Sequence, residues 1–120
     1  MSQSPVTFET VRQIARTLPG VEEGMSWGTP GLRVKGKFFA RLKEDGETLV
    51  IKVGDVERDL LMQLEPEVYY ITPHYQGYPA VLIHLSKIRP DDLQDVMEKA
   101  WRLIAPKRLV ESYDSGSSEP

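Results

Sequence analysis

Apolar residues return at every second position in residues 31–53, in three short segments. A period of two is typical of β-strands with one buried face. Gly36 and the pair Asp45-Gly46 separate the segments, and both favour tight turns between strands. This stretch therefore predicts three consecutive antiparallel strands around which the rest of the chain is organised.

Before and after the predicted strands, apolar residues recur at the three- and four-residue intervals that are typical of helices. A first helix follows Thr7, a good N-cap residue, and a third and longest helix begins at Pro90, a residue favoured in the first turn. A second helix follows Gly54 and Asp55. The apolar stripes that we expect these helices to bury are Phe8, Val11, Ile14, Ala15 and Leu18 in the first, Val56, Leu60, Leu61 and Leu64 in the second, and Leu93, Val96, Met97, Ala100, Trp101 and Ile104 in the third.

Two more strands are predicted between the second and third helices. Residues 68–72 are rich in β-formers, and residues 80–85 form the most apolar strand of the chain. Residues 73–79, a loop shaped by proline and glycine, connect them. Residues 21–30 are polar and give no clear pattern beyond a short extended piece at 25–27, and residues 107–113 suggest another turn or short helix.

The order of elements is helix, three strands, helix, two strands, helix. This order predicts the α+β class, as a two-layer α/β sandwich with an antiparallel sheet, helices on one face and the other face left for water or a partner. We expect one domain over residues 1–113. Residues 114–120 have the composition of a disordered tail.

Composition excludes several classes of protein. The chain has no cysteine, which excludes disulfides, thiolate catalysis and cysteine-based metal sites. Its first residues lack a basic segment followed by an apolar run, and no apolar stretch approaches the length that spans a membrane. We therefore expect a cytoplasmic protein without membrane association.

Charge is unevenly distributed along the chain. The net charge of −3 and the pI near 5.4 argue against a surface tuned as a whole to polyanions. Residues 31–53, in contrast, hold six cationic residues against three acidic ones, and the acids cluster in one turn. The surface of the predicted strands is therefore almost purely cationic.

Several short motifs together resemble the MmcQ/YjbR family over residues 7–109. They are Leu18-Pro19-Gly20-Val21-Glu22-Glu23, Trp27-Gly28-Thr29-Pro30, Val34-Lys35-Gly36-Lys37-Phe38-Phe39-Ala40, Pro73-His74-Tyr75, Ala100-Trp101-Arg102 and Ala105-Pro106-Lys107-Arg108-Leu109. Their joint occurrence is more specific than any one of them. The resemblance implies a CyaY-like (frataxin-like) fold, in agreement with the predicted order of elements, and a DNA-binding protein of unestablished function.

A basic strand face is the first candidate site. Period-2 alternation directs Phe38 into the core and Phe39 away from it. The residues that we expect on the outward face are Arg33, Lys35, Arg41 and Lys52, with Phe39 between them. Cations and rings on one surface are typical of proteins that bind single-stranded nucleic acid. The alternative is structural, because antiparallel sheets routinely expose lysine and arginine and so protect their edges.

The loop at residues 73–79 is the second candidate site. His74 and Tyr75 place titratable and hydrogen-bonding groups where ligand contacts concentrate, and Trp27 is a candidate neighbour in a pocket. The alternative is again structural, with His74 bonded to backbone groups and the tyrosines covering the end of the sheet. The pattern also favours Trp27 and Trp101 as core rings over a stacking platform.

No catalytic or metal constellation stands out. Histidines at 74 and 84 do not define a metal site without carboxylates of known placement, and the chain has neither a nucleophile elbow nor a glycine-rich phosphate loop. The sequence therefore favours a small non-enzymatic binding protein without cofactor. DNA or another anionic partner on the basic strand face is the leading hypothesis, and a small-ligand or protein-interaction domain centred on the His74-Tyr75 loop is the alternative.

Overall fold

Six antiparallel strands form one sheet in the computed structural model, which describes residues 6–26 and 28–117. In chain order the elements are α1 (Phe8–Ala15), β1 (Val21–Ser26), β2 (Thr29–Val34), β3 (Lys37–Leu42), β4 (Thr48–Lys52), α2 (Asp55–Leu64), β5 (Tyr69–Tyr70), a 3₁₀ turn (Pro73–Tyr75), β6 (Ala80–His84), α3 (Pro90–Ile104) and α4 (Lys107–Ser117). The protein is thus of the α+β class, with the predicted order of elements plus one strand and one helix.

The strand order in the sheet is β1-β2-β3-β4-β6-β5. The first four strands are sequential neighbours, as hairpin connections require. The chain then leaves the sheet through α2, forms the two-residue strand β5 at the edge and returns as β6 between β5 and β4. This return places residues 73–79 next to β4 and β6, in the central part of the sheet.

The main core lies between the sheet and the helices. All six residues predicted for the apolar stripe of α3 are buried, as are Phe8, Val11 and Ala15 of α1. Trp101 is fully buried in this core, and its indole N–H donates a hydrogen bond of 2.8 Å to the carbonyl oxygen of Pro19. The interpretation of Trp101 as a core ring is therefore confirmed.

Strand β1 is the element that the sequence analysis missed. It pairs with β2 along its whole length, from Val21 opposite Val34 to Ser26 opposite Thr29. Its Glu22-Glu23-Gly24 segment has low β-propensity, which is why only a short extended piece was expected. Hydrogen bonds to β2 hold it at the edge of the sheet, where charged side chains are common.

A β-bulge in β3 reverses the predicted directions of two phenylalanines. Leu32 pairs with Ala40 and Arg33 pairs with Phe38, so Phe39 is the extra residue between these pairs. Phe39 is fully buried in the main core. The prediction that Phe39 faces outward is wrong, because the bulge interrupts the strict alternation on which it depended.

Helix α2 does not bury its predicted stripe. The exposed fractions are 84% for Val56, 47% for Leu60 and 68% for Leu64, and only Leu61 of the predicted residues packs partly against the core. The helix contacts the sheet at its β5 and β6 end. It therefore uses a different face from the one that its apolar row predicted.

Helix α4 extends beyond the short helix predicted for residues 107–113. It continues to Ser117, so it includes the first four residues of the predicted disordered tail. Arg102 on α3 binds the carboxylate of Asp114 through two hydrogen bonds of 2.8 and 3.2 Å, which also lower the pKa of Asp114. This contact connects the end of α4 to the rest of the helical layer. Residues 118–120 lie outside the described part of the chain.

Candidate binding pocket on the open face of the sheet

The open face of the sheet, meaning the face turned away from α1 and α3, carries its own small apolar cluster. Val50, Ala80 and Leu82 are buried there under Tyr75, which is itself only 8% exposed. Residues 73–79 thus cover part of this face, whereas the sequence predicted that the face is left for water or a partner. The covering segment brings the two candidate sites of the sequence analysis together.

Local hydrogen bonds hold the covering segment in place. The Tyr75 N–H bonds to the carbonyl of Thr72 at 2.9 Å, and the Tyr78 N–H bonds to the carbonyl of Tyr75 at 3.1 Å. Gly77 has a φ of +84°, a conformation that glycine adopts without strain. From α2, Arg58 donates a hydrogen bond of 2.9 Å to the Tyr78 carbonyl. Tyr75 is therefore fixed over the cluster from both sides of the turn.

A cavity of about 270 Å³ opens between the covering segment and the strands, and we call it the open-face pocket. Its lining residues are Phe38, Arg41, Val50, Lys52, Tyr75, Tyr78, Pro79 and Ala80. Most of them are apolar or aromatic, and the charged groups are both cations. An apolar site with few polar groups is typical of small-ligand binding.

The cations of the pocket have no carboxylate partner among the described residues. With the described residues, the Arg41 guanidinium makes two long contacts, 3.4 Å to the Thr29 hydroxyl and 3.5 Å to the Leu42 carbonyl. In residues 6–26 and 28–117 no ion pair of Lys52 is found. Beside the pocket, the Lys43 ammonium lies 5.7 Å from the centre of the Tyr75 ring. The site is therefore electrostatically suited to an anion.

His74 lies beside the pocket and does not line it. Its side chain is exposed, and its ring packs edge to face against Tyr75 at 5.0 Å and Tyr78 at 6.3 Å between centroids. Tyr75 and Tyr78 are 6.1 Å apart. The three rings form an aromatic cluster at the mouth of the pocket, which supports the positions of the two tyrosines.

The structure unites some of the predicted site residues and separates others. Arg41, Lys52 and Tyr75 line one cavity. Arg33 is exposed on the same face, directly across the strand pair from Phe38. Trp27 lies outside the described residues, so its place near the pocket stays a prediction.

Lys35 is not on the strand face. It occupies the two-residue turn between β2 and β3 with a φ of 51°, followed by Gly36 with a φ of 81°. Positive φ at both positions defines a type I′ hairpin turn. The prediction that Lys35 lies beside Arg33 and Arg41 is therefore corrected, because the strand ends at Val34. Phe39, buried on the other face, is removed from this site as well.

The pocket residues that sequence reasoning missed had one readable signal. Both β4 and β6 carry a continuous apolar run in the sequence, Leu49 to Ile51 and Ala80 to Ile83, and every residue of these runs is buried. Continuous apolar runs of this kind indicate strands buried on both faces. They could have predicted that something covers the open face of the sheet at these two strands, although not what covers it.

A separate polar network occupies the far end of the open face. The Asp45 carboxylate accepts hydrogen bonds from the Thr48 hydroxyl at 2.6 Å and from the backbone N–H groups of Glu47 and Thr48 at 2.9 Å. The bond from the Thr48 hydroxyl is the largest cause of the lowered pKa of Asp45. His84 stacks on Tyr70 at 4.4 Å and lies 3.3 Å from the Glu47 carboxylate. These contacts stabilise the β3–β4 turn.

The described residues contain neither a metal-binding cluster nor a membrane-spanning helix. In residues 6–26 and 28–117, no group of three or more histidine and carboxylate side chains is arranged to hold a metal ion. Within the same part of the chain, no helix is long and apolar enough to cross a membrane.

Comparison with known proteins identifies relatives without an assigned activity. Uncharacterised proteins of Mycobacterium tuberculosis and Mycobacterium bovis are 40% identical to this chain over 73 residues, which is 60% of this chain and 57% of each relative. The crystal structure of Deinococcus radiodurans protein DR2400, with a DUF419 domain, superposes with a TM-score of 0.75 at 17% identity and covers 95% of this chain and 92% of that one. The YjbR family model matches residues 16–103. The chain therefore belongs to the YjbR family.

Proposed function

We propose that this protein is a non-enzymatic binding module that holds a small anionic ligand with a planar ring in the open-face pocket. One observation carries the proposal: three aromatic side chains and two cations line the same cavity of about 270 Å³. A volume of this size suits one ring system with its substituent rather than an extended molecule. The His74-Tyr75 loop is then the cover of a ligand site.

The aromatic residues supply the affinity for a ring. Tyr78 lines the pocket and is 54% exposed, so part of its ring is accessible to a ligand. Tyr75 and Phe38 lie deeper, above Val50 and Ala80. A planar ligand that packs among them would remove apolar surface from water and gain ring contacts of about 0.5–1.5 kcal/mol each.

The cations supply the selectivity for an anion. Arg41 and Lys52 stand at the pocket without carboxylate partners in the described part of the chain. A charge-assisted hydrogen bond contributes roughly 1.5–3 kcal/mol, which corresponds to about tenfold or more in affinity. A charged ligand should therefore bind far better than its neutral counterpart.

The test is a titration of ¹⁵N-labelled protein followed by NMR. The ligands are benzoate, indole-3-acetate and adenosine monophosphate, each paired with an uncharged counterpart: benzamide, indole-3-acetamide and adenosine. We expect at least one anion to shift the amide signals of Val50, Tyr75 and Ala80 with a Kd of about 1 mM or tighter. Failure of all three anions to shift these signals would remove the proposal.

Matched variants locate the binding energy. Arg41→Met and Lys52→Met remove charge at similar volume, and each should weaken binding of the anion about tenfold while leaving the neutral counterpart unaffected. Lys37→Met is the control, because Lys37 is an exposed cation on β3 that does not line the pocket. An equal loss in the control would show that general charge, and not the pocket, attracts the ligand.

Single-stranded nucleic acid is the second candidate partner. It is favoured by Arg33, an exposed cation opposite Phe38 that extends the positive surface beyond the pocket. One base would enter the pocket while neighbouring phosphates contact Arg33 and Lys52. An oligonucleotide of about 12 residues should then bind at least tenfold more tightly than the mononucleotide, with strong salt dependence, and Arg33→Ala should weaken only the oligonucleotide. Equal affinity for the oligonucleotide and the mononucleotide would exclude the nucleic-acid function and retain only the small-ligand function.

A further inference from the structure

Helices α2 and α3 expose an apolar surface that the fold itself does not use. On α2, Val56, Leu60 and Leu64 follow one another at intervals of four residues, so they lie in one row along the helix. Their exposed fractions are 84%, 47% and 68%, and Leu103 on α3 is 56% exposed. Single exposed apolar residues are ordinary, whereas apolar residues aligned in one row form a contiguous patch of the kind found at interaction surfaces.

A groove between α2 and α3 lies beside this row, and Leu64 and Leu103 are the exposed apolar residues that line it. One part of the groove, about 230 Å³, has an apolar floor of Val53, Val96, Ala100 and Leu103. A second part, about 170 Å³, lies toward β5 and is bordered by Leu61 and Leu64. Both parts share Glu57, Val96 and Lys99, so they form one continuous depression, which we call the helix groove.

The helix groove is acidic at its β5 end. Glu57, Glu65, Asp92 and Asp95 line that part, and the cation there, Lys99, lies 3.5 Å from Glu57. The carboxylates also affect the pKa of Tyr69, which lines the same part of the groove. Its pKa is raised above the usual value, first because the group is buried and then because Asp92, Glu65, Glu57 and Asp95 act on it.

We propose that the helix groove is a docking site for a basic amphipathic helix of another protein. The apolar side of that helix would pack on Val56, Leu60, Leu64 and Leu103, and its lysines or arginines would meet the carboxylates of the groove. Amphipathic helices bind apolar grooves through anchors spaced by three and four residues. Because α2 is ten residues and thus about 15 Å long, a partner helix of roughly three to four turns would cover the row.

Charge distinguishes this occupant from two others. Residues 55–67 hold five carboxylates and one cation, and residues 90–104 hold four carboxylates and two cations. Two copies of the chain packed through α2 would bring these acidic segments together, and an anionic lipid surface would be repelled in the same way. A cationic partner is the one that the charge of both helices favours. No residue of the helix groove belongs to the open-face pocket, so this inference is independent of the proposed ligand.

The test uses a fluorescein-labelled peptide of about 14 residues, with leucines at i, i+3, i+4 and i+7 and with lysine and alanine elsewhere. A second peptide keeps the leucines and replaces each lysine by glutamate. Fluorescence anisotropy with the full chain should show binding of the lysine peptide and at least tenfold weaker binding of the glutamate peptide. Equal affinities would overturn the proposal, because apolar contact alone would then account for the binding.

Variants of exposed residues test the two parts of the surface separately, the apolar row on α2 and the acidic groove beside it. The double variant Val56→Ser with Leu60→Ser should weaken the lysine peptide at least tenfold, and Asp92→Asn with Asp95→Asn should weaken it and reduce its salt dependence. Glu111→Gln, an exposed change on α4 that removes one negative charge away from the groove, is the charge control and should have no effect. NMR shifts of the α2 and α3 amides provide a second readout that does not depend on any variant.

Four further results would overturn the proposal. The first is unchanged peptide affinity in the Val56 and Leu60 double variant, and the second is a set of NMR shifts confined to the open-face pocket. The third is a concentration-dependent dimer in sedimentation experiments that Leu60→Ser abolishes, which would show that a second copy covers the row. Binding of the chain to anionic lipid vesicles that is lost in the same variant would assign the surface to a membrane instead.

Discussion

Two adjacent phenylalanines have opposite roles because of a single inserted residue. The bulge in β3 sends Phe39 into the main core and leaves Phe38 on the open face, where it lines the pocket. Ideal alternation gives the reverse assignment. At the scale of single residues, Phe38 and not Phe39 is therefore the phenylalanine that lies at the candidate site.

Replacing Phe39 by alanine should lower the free energy of unfolding by about 3–5 kcal/mol, because a fully buried ring leaves a cavity that the core fills only partly. Phe38→Ala, at a partly exposed position, should cost roughly 1–2 kcal/mol and should weaken binding of a planar anion. Urea denaturation measures both. The assignment would be contradicted if Phe38→Ala were the more destabilising change.

Asp45 should make stability depend on pH in the acid range. Its pKa is lowered in the folded state, first by the Thr48 hydroxyl and also by two backbone N–H groups. The stabilising contribution is therefore present above the unfolded pKa of about 3.9 and is lost as the pH falls through the folded pKa. Asp45→Asn should flatten the stability profile between about pH 5 and pH 2, with a small effect because the group is exposed.

The control for this pH prediction is Glu44→Gln, because Glu44 is exposed in the same turn. Its profile should follow that of the wild-type protein. Thermal unfolding monitored by circular dichroism across the acid range gives the comparison directly. Parallel profiles for wild type and Asp45→Asn would show that the Thr48 contact contributes nothing.

At the scale of elements, the β2–β3 hairpin carries a local conflict. Its type I′ turn needs positive φ at both central positions, and Lys35 occupies the first of them with a φ of 51°. A lysine in this conformation costs roughly 1–2 kcal/mol, whereas asparagine tolerates it. The hairpin is held by the pairing of β2 with β3 in spite of this cost.

Replacing Lys35 by asparagine should stabilise the protein by about 0.5–1 kcal/mol, which would raise Tm by roughly 3–6 °C. Gly36→Ala should destabilise the protein, because alanine is strained at a φ of 81°. A Cβ at this position meets no neighbour, so no steric clash adds to the backbone strain. Calorimetry measures both shifts. A lower Tm for Lys35→Asn would mean that the lysine side chain makes a stabilising contact that outweighs the backbone term.

At the scale of the whole molecule, helix α4 packs against the main core. Leu109, Val110 and Tyr113 of α4 pack against the main core, and the rings of Tyr113 and Trp101 are 5.0 Å apart. Within the helix, the last of these core contacts is made near residue 113. This agrees with a domain that ends close to 113, which stays a prediction.

Two truncations test that boundary. A chain that ends after Ala105 should lose about 2–5 kcal/mol of unfolding free energy, because three partly buried side chains are removed from the core. A chain that ends after Tyr113 should have nearly wild-type stability, because the pair of Arg102 with Asp114 is exposed to solvent. A large loss in the longer truncation would place the boundary beyond 113.

The helical layer and the main core were largely predictable because they depend on local periodicity. The buried stripe of α3 followed from spacing alone, since a helix of 15 residues shows the same face several times. Strand β1 was not predictable in the same way, because its hydrogen bonds to β2 and not its own residue types make it a strand. The row on α2 was predicted to be buried but is exposed. An apolar stripe indicates a surface that favours contact, and it does not show that the contact is made within the same chain.

The amino-acid sequence by itself determined the α+β class, the family, the buried face of α3 and the presence of cations and aromatic residues near the site. Tertiary structure decided which of those residues meet. Arg41, Lys52 and Tyr75 share one pocket because β6 returns between β4 and β5 and folds residues 73–79 over the open face, while the bulge at Phe39 and the turn at Lys35 remove two expected members. Such outcomes depend on strand order and register, which are set by contacts between distant segments and not by any local pattern.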